Sequence, residues 1–443
     1  MAPSGPAGAF GGVDRRKLRN MGWIFLQQGT SVVAGFALMI FLARHLGPDR
    51  LAAYAWIFSL AMLASPLAIS VESLITRRLV ESPDDAPQIL GSGLVLHMGG
   101  AVAGALLVLA FAWANRPDGV SLAAVLIGVL ILPTLAFFTF DGWFRADERI
   151  AVVAVPKSLA VGFGAACGLG LVFAGAGLVA FLWLRVVQSF AAGLASAAWY
   201  RVQGSFRGLE VSRSELALLF RDGWPLIVAG ATSIAHLKVD QIMLGSMAPL
   251  SMLADYSLAA RLAETVAVFQ VALSAAFYPS LVRAFKRAPG DFDAHMQRFY
   301  DLHALTGYLG AAILALAAVA LFVPMFGETY GGGVTLLCIL ALAVPAQLLS
   351  GARGAMLTIR GWVRTALAVS CVALLLNVLA NLVLIPTQGA TGAAWATVGS
   401  TWLTCLALPF LIHWLQPFGK GALNALVPWK ATPRVMALAG KAE

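Results

Sequence analysis

NMGWIFLQQGTSVVAGFALMIFLARHLGPDRLAAY, residues 20–54, decides the fold. From Met21 to Ala43 the chain is apolar over the length of a membrane-spanning helix, which needs roughly 20 such residues. It then turns through Arg44, His45, Gly47 and Pro48, and a second apolar run opens at Leu51. A signal peptide would carry a shorter apolar core and a small-residue cleavage site. This run ends in Arg44 instead, so an uncleaved first transmembrane helix is expected.

The rest of the chain extends that pattern. Of 443 residues 60% are apolar and 12% charged, and the mean hydropathy is +0.84. A soluble domain carries about 25% charge, and one this apolar could not cover its surface with polar groups. Lipid covers it instead, which makes it an all-α polytopic membrane protein. The net charge of +9 does not point to nucleic acid, because the Lys and Arg lie in short loops between apolar runs, where anionic headgroups meet them. Cys167, Cys338, Cys371 and Cys405 each sit alone inside an apolar run, a spacing that gives neither a disulfide framework nor a metal site. No cofactor is expected.

Twelve apolar runs are expected as spans, at 21–43, 51–75, 90–114, 120–141, 151–174, 176–200, 223–247, 252–282, 304–326, 334–355, 363–386 and 390–415. No ten-residue alternation of a transmembrane β-barrel appears. With the N-terminus inside, 22 of the 30 Lys and Arg fall on cytoplasmic segments, from Arg15 and Arg16 through Arg77, Arg78, Arg145 and Arg207 to Lys441. Only Arg44, Arg50 and Arg116 fall on the other side. The positive-inside rule then puts both termini in the cytoplasm.

An internal repeat organises the spans. Asn20-Met21-Gly22-Trp23 is matched by Arg221-Asp222-Gly223-Trp224, Leu46-Gly47 by Leu244-Gly245, and Tyr54 by Tyr256. Pro133 and Gly142 in the fourth span correspond to Pro345 and Gly354 in the tenth. GAGLVA (175–180) corresponds to GATGAAWA (389–396). Six spans per half is an even number, so the repeats are parallel, with a substrate path expected in a central cavity between them. The expected divisions are a cytoplasmic N-terminal tail (1–20), a six-helix bundle (21–200), a linker (201–221), a second bundle (222–415) and a cytoplasmic tail (416–443). The matched prolines mark expected bends.

The opening N-x-G-W, ARHLGP followed by Tyr54, VDQIMLG and ADYSLAAR in the second half, and the late QGATGAAWAT resemble the polysaccharide flippases. These belong to the multidrug/oligosaccharidyl-lipid/polysaccharide (MOP) exporter superfamily, whose other members include the MATE transporters. The resemblance runs from residue 20 to 415, nearly the whole chain. It implies a flippase of the bacterial inner membrane that moves polyprenyl-pyrophosphate-linked oligosaccharide, an O-antigen or exopolysaccharide repeat unit, by alternating access. An H+ or Na+ gradient would drive it, with membrane lipids and polysaccharide polymerase or assembly proteins as partners. Peptidoglycan-precursor flippases of the superfamily usually carry two further C-terminal helices, so the end of the apolar runs at 415 is read against that branch.

Charges inside spans are costly and are functional candidates by default. A lipid pyrophosphate needs cations along its path, and Arg matches phosphate oxygens in pairs. The candidates for substrate binding are Arg185, Lys238, Arg261, Arg44, Lys157 and Arg353. Each also has a structural reading: Lys157 and Arg353 lie near helix ends and can snorkel, and Arg261 can pair with Glu264 at i,i+3. Arg185, in AFLWLRVVQSF with only Gln188 nearby, needs a partner from another helix. Arg44 either caps the carbonyl end of its own helix or contacts pyrophosphate, and its counterpart turn MLGSMAP (243–249) has no charge. The ion-coupling candidates are Glu72, Asp240, Glu264 and Asp141. Burial favours the neutral form of a carboxyl group, as a proton-coupling site requires. Against that, Asp141 can pair with Arg145 at i,i+4, and Glu72 with a cation across the cavity. The pair Asn377 and Asn381 reads as interhelical glue.

Two other classes compete. A multidrug exporter of the same superfamily would centre its cavity on acidic and aromatic groups for cationic drugs, whereas deep cations are prominent here. A glycosyltransferase or ligase needs a loop large enough to hold a donor and catalytic groups, and NRPDG (115–119) and FGETYGG (326–332) are too short. There is no phosphate-binding loop, nucleophile elbow or metal-ligand cluster, so no catalytic residue is expected.

Overall fold

Every apolar run expected to span is helical over most of its length. The computed structural model describes residues 15–202, 208–287 and 289–439. Arg207, Lys441 and most of the 1–20 tail therefore lie outside the described residues. The first half comprises α1 (Arg15–Ile69), α2 (Glu72–Glu81), α3 (Ala86–Asn115), α4 (Leu122–Val129), α5 (Ile131–Ala136), α6 (Asp141–Ala146), α7 (Ile150–Phe173) and α8 (Leu178–Val202). The second comprises α9 (Arg213–Met247), α10 (Leu250–Glu264), α11 (Ala267–Arg287), α12 (Pro289–Phe326), α13 (Gly332–Ala341), α14 (Val344–Ile359), α15 (Val363–Gln388), α16 (Ala390–Trp402) and α17 (Leu408–Leu411). Two short helices follow, α18 (Gln416–Ala425) and α19 (Pro428–Ala439). Among the described residues there is no strand.

Nine helices among the described residues are long and apolar enough to cross a membrane, or ten if α13 and α14 form one bent span. The difference from twelve has two sources. The first of the nine, Gly29–Glu81, is 53 residues long and takes in most of the first expected span and all of the second. It is bent at Gly47, whose φ of 74° and ψ of 171° lie in a region that glycine alone enters freely. The expected span at 223–247 lies in α9, where Lys238 and Asp240 reduce the apolar character. Large side chains such as Leu106, Leu107, Leu316 and Val319 are exposed, as lipid-facing side chains are.

The matched prolines act alike. Proline has no N–H to give the carbonyl four residues back. For Pro133 that residue is Val129, where α4 ends, and for Pro345 it is Ala341, where α13 ends. The α13–α14 bend is 42°.

The halves meet along α1, which packs on α3 and α7 of its own half and crosses to α9, α10 and α12. Trp56 is fully buried there and its indole N–H donates to the Ile242 carbonyl at 3.2 Å. Most of the described residues in the stretch expected as a linker, 201–221, are helical: α8 ends at Val202 and α9 begins at Arg213, capped by the Ser212 hydroxyl. Arg78 holds Glu215 with two hydrogen bonds, 3.1 and 2.9 Å, fastening this junction to the first half.

The stretch expected as a tail after 415 is also built in. At 10 and 12 residues α18 and α19 are too short to span, and they clamp onto α12. Tyr300 packs edge-on against Phe418 with ring centroids 5.3 Å apart, and Arg434 pairs with the fully buried Asp301 at 2.8 Å. Removing one partner of a buried pair leaves an uncompensated charge. Arg434→Ala is expected to destabilise the protein by the low end of about 3–5 kcal/mol, because Arg434 is itself 34% exposed. Thermal melting of the purified protein checks this: Arg434→Ala should melt well below wild type and Arg434→Lys close to it.

Candidate functional site

Three helices bring charge, and a fourth brings aromatic rings, to the junction between the halves. The second arm of α1 supplies Tyr54 and Phe58, whose rings stack with centroids 6.2 Å apart. The guanidinium of Arg185, on α8, lies 5.1 Å from the Phe58 ring centroid and donates to the Gln188 side chain at 3.1 Å. Its Nε has no hydrogen-bond partner among the described residues. From the second half, Lys238 on α9 pairs with Glu264 on α10 at 2.7 Å, and Arg261 pairs with the same carboxylate at 3.3 Å. Arg261 is 49% exposed and reaches across to the first half, where its Nη2 stands 3.9 Å from the position a Cβ would take at Gly35. Tyr54 lies within electrostatic reach of both Arg185 and Arg261. Three cations and one carboxylate thus share one junction, with unfilled donors on Arg185.

Asp240 belongs to a different group. Two residues from Lys238, it projects from another side of α9 and is buried inside the second half. It accepts hydrogen bonds from the Tyr256 hydroxyl, the Gln241 backbone N–H (2.7 Å) and the Thr397 hydroxyl (3.4 Å). Asn377 donates to Thr397 (3.4 Å) and Ser400 (3.3 Å), and Asn381 donates to Asn377 (2.9 Å). The Oδ1 of Asn381 is buried with no hydrogen-bond partner among the described residues. One carboxylate beside two hydroxyls, with the Asn377–Asn381 pair reached through Thr397, is a set of groups suited to a hard cation or to a proton on Asp240.

The other candidates are placed differently. Asp141, fully buried, pairs with Lys157 of α7 and not with Arg145. Arg145 instead reaches Glu72 at 3.2 Å. Both ion-coupling candidates of the first half, Glu72 and Asp141, are therefore paired within it, and Lys157, 4.1 Å from the Phe138 ring centroid, packs inward. Arg353 is buried in the second half, where it donates to the carbonyl of Thr404 in a π-turn (Leu403–Ala407) and lies 5.5 Å from the Phe418 ring centroid. It does not join the Arg185 group.

Arg44 does cap a helix, but not its own. Its Nε donates to the Met325 carbonyl at 2.8 Å and its Nη2 to the Pro324 carbonyl, in the last turn of α12. Tyr330 returns a bond to the Ala43 carbonyl at 2.7 Å. These contacts tie the two halves together at the Arg44 end. Arg44→Gln, which cannot remake both bonds, is expected to shift the molecule toward opening at this end by about 1–2 kcal/mol, roughly 5–30-fold. A cysteine placed at the buried Ala53, in a background lacking the four native cysteines, should label faster by that factor. An unchanged rate would show that the Arg44 contacts do not hold the end closed.

Sequence reading missed the Tyr54–Phe58 pair beneath Arg185 and the oxygen cage around Asp240. Tyr54 and Tyr256 were visible as repeat markers and Asn377 and Asn381 as a helical pair, but their partners lie on other helices.

The fold defines a class: a multi-pass α-helical membrane protein with the MOP-superfamily architecture. It superimposes on the lipid II flippase MurJ in an inward closed conformation with TM-score 0.73, 13% identity and coverage of 93% of this chain and 91% of that one. On an inward-facing MATE multidrug resistance transporter of the MOP superfamily the values are 0.70, 16%, 88% and 96%. The chain belongs to the polysaccharide biosynthesis protein family, whose model matches residues 17–285. A protein described as a probable flippase, AglR of Haloferax volcanii, is 22% identical over 405 residues, 88% of this chain and 82% of that protein. A probable multidrug resistance protein, NorM of Chromobacterium violaceum, is 29% identical over 217 residues, and the match spans only 45% of either chain.

Proposed function

We propose that the protein is a flippase for polyprenyl-pyrophosphate-linked oligosaccharide, working by ion-coupled alternating access between two six-helix repeats of a twelve-span bundle. The observation that carries the reading is the cluster of Arg185, Lys238 and Arg261 against a single carboxylate, Glu264, where the halves meet. Such a cluster offsets the desolvation of a pyrophosphate drawn into the protein, and membership of the polysaccharide biosynthesis family supports a glycan on the cargo. Asp240 and its oxygen cage are the proposed coupling site for H+ or Na+, because a cation bound there would sit on α9, the helix that carries Lys238. Glu72 and Asp141, the candidates of the first half, are paired with local cations, so they are weaker coupling candidates. The family resemblance implies a bacterial inner membrane and the basic segments favour cytoplasmic termini, leaving the Arg44 contacts as the closed periplasmic end of an inward-facing state.

The test is reconstitution in vesicles with an undecaprenyl-pyrophosphate-linked oligosaccharide and an imposed Na+ or pH gradient. Gradient-dependent appearance of the glycan in the opposite leaflet is the expected result. The kinship with NorM keeps multidrug export as the second reading. Gradient-driven efflux of a cationic dye, with no movement of the lipid-linked glycan, would replace the first reading with the second.

A further inference from the structure

α11 carries a groove that the charged junction does not use. It is shallow and open, with a volume of about 450 Å³, and is lined by Gln270, Val271, Ser274, Tyr278 and Pro279. Gln270, Ser274 and Tyr278 are spaced at i, i+4 and i+8, so they lie along one side of the helix over about 12 Å. None of the three side chains has a hydrogen-bond partner among the described residues. Polar groups left unsatisfied against hydrocarbon are costly, so this row is poorly suited to lipid and well suited to a polar ligand. The remaining lining, Val271, Pro279 and the Tyr278 ring, is apolar, a combination that matches a sugar, which offers hydroxyls at its rim and C–H groups on its faces.

The place of the groove gives it a partner. α10 ends at Glu264, beside Arg261, and after a short break α11 begins at Ala267. The row therefore starts at the phosphate-binding cations and runs toward Arg283 and Lys286 at the other end of α11. Gln270 is also held in place from α14. A Cβ built on Gly351 would come within 2.8 Å of its Cγ and closer still to its amide, so the glycine leaves the space that the carboxamide fills.

We propose that this groove is the saccharide subsite of the flippase, in which Gln270, Ser274 and Tyr278 bind glycan hydroxyls while the pyrophosphate is held at Arg185, Lys238 and Arg261. The inference rests on the flippase reading, and its test separates the two. The full-length protein in nanodiscs is titrated with undecaprenyl pyrophosphate and with the same lipid carrying an oligosaccharide. Wild type should bind the glycosylated lipid at least about tenfold more tightly, the scale of a few net hydrogen bonds. The Gln270→Ala/Ser274→Ala/Tyr278→Phe variant should bind both lipids equally, with affinity for the sugar-free lipid unchanged, which also shows that the variant is folded. Gly351→Ala, which removes no polar group but displaces the Gln270 carboxamide, should lose part of the preference. If the triple variant keeps the full preference, or weakens both lipids alike because the groove holds the prenyl chain, the saccharide subsite is wrong while the flippase reading stands. Wild type that binds neither lipid overturns both.

Discussion

Combining Arg185→Ala with Lys238→Ala is expected to reduce glycan export at least about 100-fold, with the amount of protein in the membrane unchanged. Two effects act together. Each cation lost removes a charge-assisted contact to phosphate, of about 1.5–3 kcal/mol. The balance at the junction also changes, because Glu264 is shared between Lys238 at 2.7 Å and Arg261 at 3.3 Å. Wild type sets three cations against one carboxylate. The double variant leaves Arg261 alone with Glu264, a neutral pair with no excess charge for an anion. Glycan export in a strain dependent on this protein provides the readout, with affinity for undecaprenyl pyrophosphate measured alongside. Arg185→Lys with Lys238→Arg keeps the charge and should retain much of the activity. Normal export by the alanine pair would remove both residues from the mechanism.

Asp240→Asn should uncouple transport from its gradient. Asparagine has nearly the shape of aspartate and its oxygen can still accept from Tyr256, Gln241 or Thr397, so the packing survives. What it lacks is the negative charge that would hold Na+ or take up a proton. Gradient-driven movement of the lipid-linked glycan in proteoliposomes should fall by about tenfold or more, since a hard cation is held chiefly by its carboxylate ligands. Affinity for sugar-free undecaprenyl pyrophosphate should change little, because Lys238 and Arg261 are paired through Glu264 and not through Asp240. Separate Na+ and pH gradients identify the ion. If the variant responds to the gradient as wild type does, coupling lies elsewhere.

The membrane class and the helical spans were legible because they depend on local quantities. An apolar run of spanning length has few alternatives in lipid, where backbone groups must be satisfied within the helix. The bends were legible for the same reason: Gly47 and the prolines act on their own backbone or on the carbonyl four residues back. Two spans were harder to recognise as helices of the membrane class. α1 runs through the first turn as a bent 55-residue element, and α9 carries the charges that give the junction its chemistry.

The charged residues could be named from sequence, but their partners could not. Glu264 and Arg261 are one helical turn apart and were paired correctly from spacing alone. Asp141 had Arg145 at an equally good spacing, yet Lys157 from the next helix took it and Arg145 went to Glu72. From its sequence Arg353 could contact substrate or snorkel from its helix end, but the structure buries it against a π-helical turn and Phe418. Arg44 was expected either to cap its own helix or to meet the substrate. It caps the end of α12, whose carbonyls lie 280 and 281 positions away along the chain.

The sequence by itself determined a multi-pass helical protein, the places where its helices bend and the identity of the charges buried in it. Only the tertiary structure decided which of those charges face one another across the two halves and which are neutralised inside one of them. Bends follow from bonds within a few residues. Ion pairs follow from the approach of distant helices, and the same side chain becomes a clamp, a cap or a binding group according to what that approach brings within about 4 Å, the reach of an ion pair.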